Sequence, residues 1–156
     1  MKDIFNNYST IIVFLHVLSA VIWVGGMIAV KVAVHPAMHT IEDKTIKVGK
    51  NLMIVGRLFN LVMPFIVVLL ITAIIMIIAL DLKGTIVYYI KEAIWTIMAL
   101  NYTFMYFKRS KAQKLFNEGK IKESVATVAN IPNILLPVNI FLGVVAIYLG
   151  VTLRGM

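Results

Sequence analysis

The sequence predicts an all-α integral membrane protein, an antiparallel four-helix bundle with both termini outside. Three observations predict it. Residues of the AVILMFWYC set make up 61% of the 156-residue chain and charged residues 14%, against about 45–50% and about 25% in ordinary soluble domains. Four stretches, Ile11–Val30, Leu58–Leu80, Ile86–Phe107 and Ile134–Leu153, reach the roughly 20 apolar residues that a bilayer core demands. The basic residues, finally, are shared unevenly between the connections. What is left of the chain is too short for a second soluble core, so residues 1–156 read as one transmembrane domain with spans of about 11–33, 58–80, 86–107 and 132–153.

Charge sets the orientation. Lys31, Lys44, Lys47, Lys50 and Arg57 surround the first connection, and Lys108, Arg109, Lys111, Lys114, Lys120 and Lys122 fill the third, while Lys2, Lys83, Lys91 and Arg154 lie on or near the other side. Eleven against four is a positive-inside bias that puts loops one and three in the cytoplasm of a bacterial-type inner membrane. The net charge of +8 is thereby read as topology, with the lipid bilayer as partner and no nucleic acid. The chain has no cysteine, which excludes disulfides, thiolate metal sites, iron–sulfur clusters and covalent haem attachment.

The elements follow in order. The first apolar run continues ten residues past Leu18-Ser19-Ala20, too long for the core of a signal peptide, and is taken as the first span. Thr40–Gly56 is polar with helix-compatible spacing and no proline, which predicts an interfacial helix or a helix extension. Pro64 falls inside the second span and predicts a kink or local repair. Asp81-Leu82-Lys83-Gly84-Thr85 is a tight external turn. Lys108–Ala129 reads like the first loop. Pro132 opens the fourth span, where its missing N–H is tolerated, and Pro137 lies inside it.

Rise along the helices converts position into depth. His16, Met76, Lys91 and Tyr148 fall four or five residues beneath the outer ends of their spans, about 6–8 Å down, and predict one layer able to hold a cofactor. Gly25, Gly26, Asn101 and Asn139 coincide in a second layer about 20 Å down. There the glycines permit close approach and the asparagines bond across helices, as membrane bundles require.

His16 is the one histidine inside a span, and neutral imidazole is a usual axial ligand of haem b; the alternative is a histidine satisfied by a hydroxyl such as Ser19 or Thr72. Lys91 and Glu92 point about 100° apart on a helix, so one or both should turn inward. Lys91 would bind an acidic substituent such as a porphyrin propionate, or snorkel to the surface, and Glu92 would relay a proton. Met76 is a second axial candidate, with plain packing as its alternative. His35-Pro36-Ala37-Met38-His39 brings His35, Met38 and His39 together on a helix as a candidate copper site, or is a solvated interface segment. Arg57 is either a topology charge or a hold on an anionic group.

These residues resemble a known family. His16 followed by Trp23 and a small-residue step, Arg57-Leu58-Phe59 leading to Met63 and Pro64, Lys91 in the third helix, and Asn130-Ile131-Pro132 opening the fourth are similar to the flavin-free, haem-b membrane protoporphyrinogen oxidases of bacteria and cyanobacteria, the J-type enzymes of haem biosynthesis. The resemblance implies a haem b with iron on His16, Lys91 and Arg57 as essential basic residues, and six-electron oxidation of protoporphyrinogen IX with a quinone or other membrane electron acceptor. Trp23-Val24-Gly25-Gly26 also resembles the membrane domain of the copper-resistance D family. Three functions therefore stand open: a haem-b oxidoreductase, a copper-handling membrane protein, and a cofactor-free assembly or interaction subunit, any of them as a homo-oligomer.

Overall fold

Four long helices carry the chain back and forth. The computed structural model describes residues 2–81, 84 and 86–154, without the side chains of Leu153 and Arg154, so Lys83 and most of the second connection lie outside the described residues. Helix α1 (Lys2–Ala29) continues through a π-helical turn, Val30–Val34, into the short α2 (His35–His39). Then come α3 (Lys44–Ala79), α4 (Ile86–Asn117) and α5 (Ile121–Val128), and a second π-helical turn, Ile131–Leu135, leads into α6 (Leu136–Arg154). No strand occurs among the described residues. The helices form a ring in the order α1, α3, α4, α6, each packed on its two neighbours, and α5 lies against α4. Contacts fix the antiparallel sense: His16 meets Thr72, Phe59 meets Tyr102, Asn101 meets Asn139 and Lys31 meets Pro132.

Lys2–His39, Lys44–Ala79 and Ile121–Thr152 are long and apolar enough to cross a membrane. The fourth long helix, α4, is less apolar because Lys91, Glu92, Asn101 and Tyr102 fall within it. The outside of the bundle is what an aqueous domain would bury. Phe14, Val21, Leu61, Leu100, Phe107 and Phe141 are all exposed. Only 17% of the most apolar window in Lys44–Ala79, and the same share in Ile121–Thr152, is buried within the chain. An apolar exterior this extensive needs a cover that the chain does not supply.

Both polar connections are helical, as their spacing predicts. The Asp43 carboxylate accepts the N–H groups of Thr45 and Ile46 at 2.8 and 2.9 Å, an N-cap that starts α3 thirteen residues before Arg57. Helix α4 runs on to Asn117 and stops in a Schellman turn: Gly119, at φ 77°, donates to Phe116 O, and Lys120 donates to Leu115 O. The Ser124 hydroxyl then bonds Ala112 O at 2.8 Å and ties α5 down.

Both π-helical turns sit one residue before a proline. His35 N–H bonds Val30 O and is followed by Pro36; Leu136 N–H bonds Ile131 O and is followed by Pro137. A proline ring clashes with the carbonyl four residues back and offers no N–H. Widening the preceding turn by one residue relieves that clash, which is a recognised origin of π bulges and kinks.

The core runs along the middle of the bundle. Trp23, Met27, Phe59, Val62 and Met105 are fully buried. The Tyr102 ring meets Phe59 edge-on at 5.2 Å and Trp23 at 5.9 Å, and its hydroxyl donates to Phe59 O in the turn before Pro64. The glycine that permits close approach is Gly143 of α6, where a Cβ would stand 2.5 Å from Val24 Cγ2 and 3.2 Å from Met98 Cε. Gly26 abuts the Leu58 side chain, but Gly25 is exposed with open space around it, so the expected contact of both glycines holds for one.

Gly143→Ala is expected to lower unfolding stability in detergent by about 1–3 kcal/mol, since a branched valine cannot swing away. Gly25→Ala is expected to be neutral or mildly stabilising. Equal effects in chemical unfolding would contradict the packing at Gly143.

Candidate functional site

The chain's polar residues gather at three levels. Nearest the terminal end of the bundle, His16 lies on the inner face of α1, in line with Ile12, Ser19, Trp23 and Met27. Its Nδ1 is 2.9 Å from the Thr72 hydroxyl. That hydroxyl has one proton, shared between Val68 O at 2.8 Å and Leu69 O at 3.0 Å. With that proton on the carbonyls, the hydroxyl accepts from His16 Nδ1–H, the tautomer in which Nε2 keeps its lone pair. The ring also lies within hydrogen-bonding reach of the Leu69 carbonyl. Of the two hydroxyls that sequence reasoning offered, Thr72 takes the ring; Ser19 donates to Leu15 O instead.

Lys91 of α4 turns inward and lies against Gly150, where a Cβ would be 3.1 Å from Nζ, and it is within electrostatic reach of His16. No carboxylate pairs with it among the described residues. Glu92, on the next position, is exposed and interacts with Tyr88 one turn earlier. Met76 stands one turn beyond Thr72 and is half-buried. Tyr148 is 71% exposed on the outer face of α6. Of the predicted layer, His16 and Lys91 come together with Met76 on the turn beyond Thr72, and Tyr148 faces out; of the neighbours Lys91 and Glu92, the first turns inward and the second outward.

Arg57 is exposed and stands fifteen residues along α3 from Thr72, about 22 Å away, so it belongs to the other end of the bundle. Beside it, Gly56 makes room for Arg109. The guanidinium lies flat across the glycine, where a Cβ would collide with it. Its Nε and Nη2 donate to Leu52 O at 2.9 and 2.7 Å, and Nη2 also reaches Gln113. Partial burial holds the Arg109 guanidinium below its ordinary range, partly offset by Tyr106. Position in the sequence counted Arg109 only as a topology charge; the signal for more was the pairing of a small residue with a basic one across two antiparallel helices.

The middle level is built from amides. Asn101 Nδ2 donates to Asn139 Oδ1 at 2.8 Å and to Leu135 O at 2.9 Å, while Asn139 Nδ2 donates to Met98 O at 3.2 Å. Asn139 is fully buried. The indole N–H groups of Trp23 and Trp95 are buried without a partner among the described residues.

His35 and His39 stack edge-on with ring centroids 4.8 Å apart. Lys47 Nζ donates to His39 Nδ1 at 3.4 Å, which occupies that lone pair. Burial, then the positive charges of His39, Lys31 and Lys47, hold the His35 imidazole below its ordinary range. Among the described residues no group of three or more His, Cys, Asp or Glu stands ready for a metal ion, and Met38 is half-buried beside this basic pair.

No protein-family model, curated protein or solved structure matches the chain. The likeness to J-type oxidases therefore rests on the residues quoted for it.

For the amide pair, Asn139→Leu is expected to cost about 1–2 kcal/mol, because Asn101 is left with a buried, partly unpaired amide. The double replacement Asn101→Leu/Asn139→Leu should recover part of that loss. Strict additivity in a detergent unfolding cycle would show that the two amides do not act together.

Proposed function

We propose that the chain is a four-span membrane protein that binds haem b through His16 and serves a redox reaction of the protoporphyrinogen type. Loops one and three are cytoplasmic and both termini lie outside. The observation that carries the haem reading is the state of His16. Thr72 holds Nδ1–H and leaves Nε2 basic, which is how metal-binding imidazoles are prepared. His16 would hold the iron, and Met76 on α3 is a second candidate donor.

Helix α4 belongs among the spans in this reading although it is the least apolar. Its polar side chains Lys91, Asn101 and Tyr102 turn toward the bundle, and Ile90, Ile97, Leu100, Phe104 and Phe107 form its outer side. A lipid-facing helix with an amide-bearing inner face has this pattern.

Haem b supplies electron transfer at iron when bound. The remaining work falls to the chain. Thr72 orients the imidazole, and the Lys91 ammonium is placed to bind an acidic substituent of haem or of a porphyrinogen. The groove lined by Ile28, Lys31 and Phe141 and the hollow at Gly119–Glu123 both lie away from His16, so apolar cover for a planar macrocycle would come from lipid or a second copy as well as from one bundle. Arg57, at the opposite end, is left a role at the cytoplasmic rim.

The chain lacks cysteine, so single-cysteine labelling tests the topology cleanly. Asn6→Cys should react with an impermeant maleimide from outside and Lys111→Cys only after permeabilisation. The reverse result inverts the topology.

Wild-type protein expressed with a haem supply should show a Soret band. His16→Ala should lose it, and Thr72→Val should weaken haem retention about 10-fold or more. A colourless wild type overturns the haem reading. Wild type should also rescue a strain lacking porphyrinogen oxidase and Lys91→Ala should not; failure of well-expressed wild type removes the substrate assignment and leaves haem binding standing.

A further inference from the structure

The two π-helical turns face each other across the seam between α1 and α6. In the second, Leu136 N–H is drawn to Ile131 O, and the next candidate donor to Pro132 O would be residue 137, a proline with no N–H. Pro132 O is thus left without a ladder partner. Lys31, in the first π turn, reaches across and donates to it at 2.7 Å. One of the ammonium's three protons is used; no carboxylate pairs with Lys31 among the described residues.

Beside this bridge lies an open groove of about 410 Å³, within the roughly 300–1,000 Å³ of ligand sites. Ile28 and Val32 form one wall; Ile140, Phe141 and Val144 form the other, with Pro137 near Lys31. The apolar wall runs from Pro137 to Val144, seven steps of helical rise or about 10 Å along α6. Polarity is therefore ordered along the groove: one cation at the end beside the basic loops, hydrocarbon side chains from there toward the middle of the bundle.

We propose that this groove is a binding site for an anionic phospholipid, its phosphate on Lys31 and one acyl chain along Ile28, Ile140 and Val144. The inference rests on the membrane reading above. A phospholipid of the leaflet next to loops one and three has the same order, charge at the surface and chain inward. Lys31, at the end of the bundle that carries the basic loops one and three, favours an anionic headgroup over a zwitterionic one. A second copy of this chain would instead bring another apolar face to Lys31 and leave the ammonium's remaining protons without acceptors.

The test uses the full chain in mild detergent, titrated with phosphatidylglycerol or phosphatidylcholine while the unfolding midpoint is followed. Phosphatidylglycerol should raise the midpoint saturably and phosphatidylcholine should not. Val144→Trp, which fills the groove and leaves Lys31 intact, should abolish the rise. Lys31→Met should weaken half-saturation about fivefold, the loss of one basic residue's attraction. Lys122→Gln, exposed on α5, should change nothing. Equal effects of the two lipids, an undiminished rise in Val144→Trp, or a lipid-independent change of oligomeric state in that variant would each overturn the proposal. Alkaline extraction of expressed membranes separates the two failures: a chain released by carbonate refutes the membrane reading, while a retained chain without lipid preference refutes only the site.

Discussion

A chain whose exterior is hydrocarbon must find partners for its polar groups inside itself, and the rest of this structure follows from that requirement. In lipid there is no water to bond a freed carbonyl, and packing apolar helices together removes no apolar surface from water. The helices of this bundle are joined at intervals by side chains that bond a backbone carbonyl of another helix, and one such carbonyl, Pro132 O, lacks a partner in its own helix. Tyr102 bonds that of Phe59, Asn101 that of Leu135, Asn139 that of Met98, Arg109 that of Leu52 and Lys31 that of Pro132. Each link crosses between neighbouring helices of the ring. Together they set the register of α1 against α6, of α3 against α4 and of α4 against α6.

The prolines show the same requirement from the other direction. Pro36 and Pro137 each interrupt a helix that continues beyond them, and both interruptions take the form of a π turn immediately upstream. Pro64 lies within α3, and the Tyr102 hydroxyl reinforces the turn before it. The break before Pro137 is mended from outside its own helix, by Lys31 at Pro132 O.

Much of this was readable before the coordinates. Depth arithmetic along antiparallel helices put Asn101 and Asn139 on one level, and they bond; it put His16 level with Lys91, and they approach. It worked because rise per residue is nearly constant. The arithmetic gives height but not azimuth: Tyr148 shares the height of His16 and faces outward, and Gly25 shares the height of the amide pair and faces open space, while the close contacts are at Gly26 and Gly143. Counting charges failed in a different way. Lys31 and Arg109 satisfy the positive-inside bias and also bond backbone carbonyls of other helices, and a tally by loop sees only the first property. The π turns were hidden because a proline in a span predicts a disturbance without saying which turn absorbs it.

The level around His16 has a charge balance that bears on what it would accept. Its ionisable groups are an imidazole and an ammonium, with the one nearby carboxylate, Glu92, turned outward. In surroundings of low dielectric a bare divalent cation would meet uncompensated repulsion from Lys91. A metal carried in a macrocycle that is itself dianionic and bears acidic side arms meets neither difficulty, since the ring offsets the metal and an acidic arm has the ammonium as partner. The same reasoning disfavours a copper ion at His35 and His39, where Lys31 and Lys47 supply positive charge and His39 has already accepted a proton donor. Basic neighbours thus count against a free metal ion at either end of the bundle, and beside His16 they suit an anionic ligand.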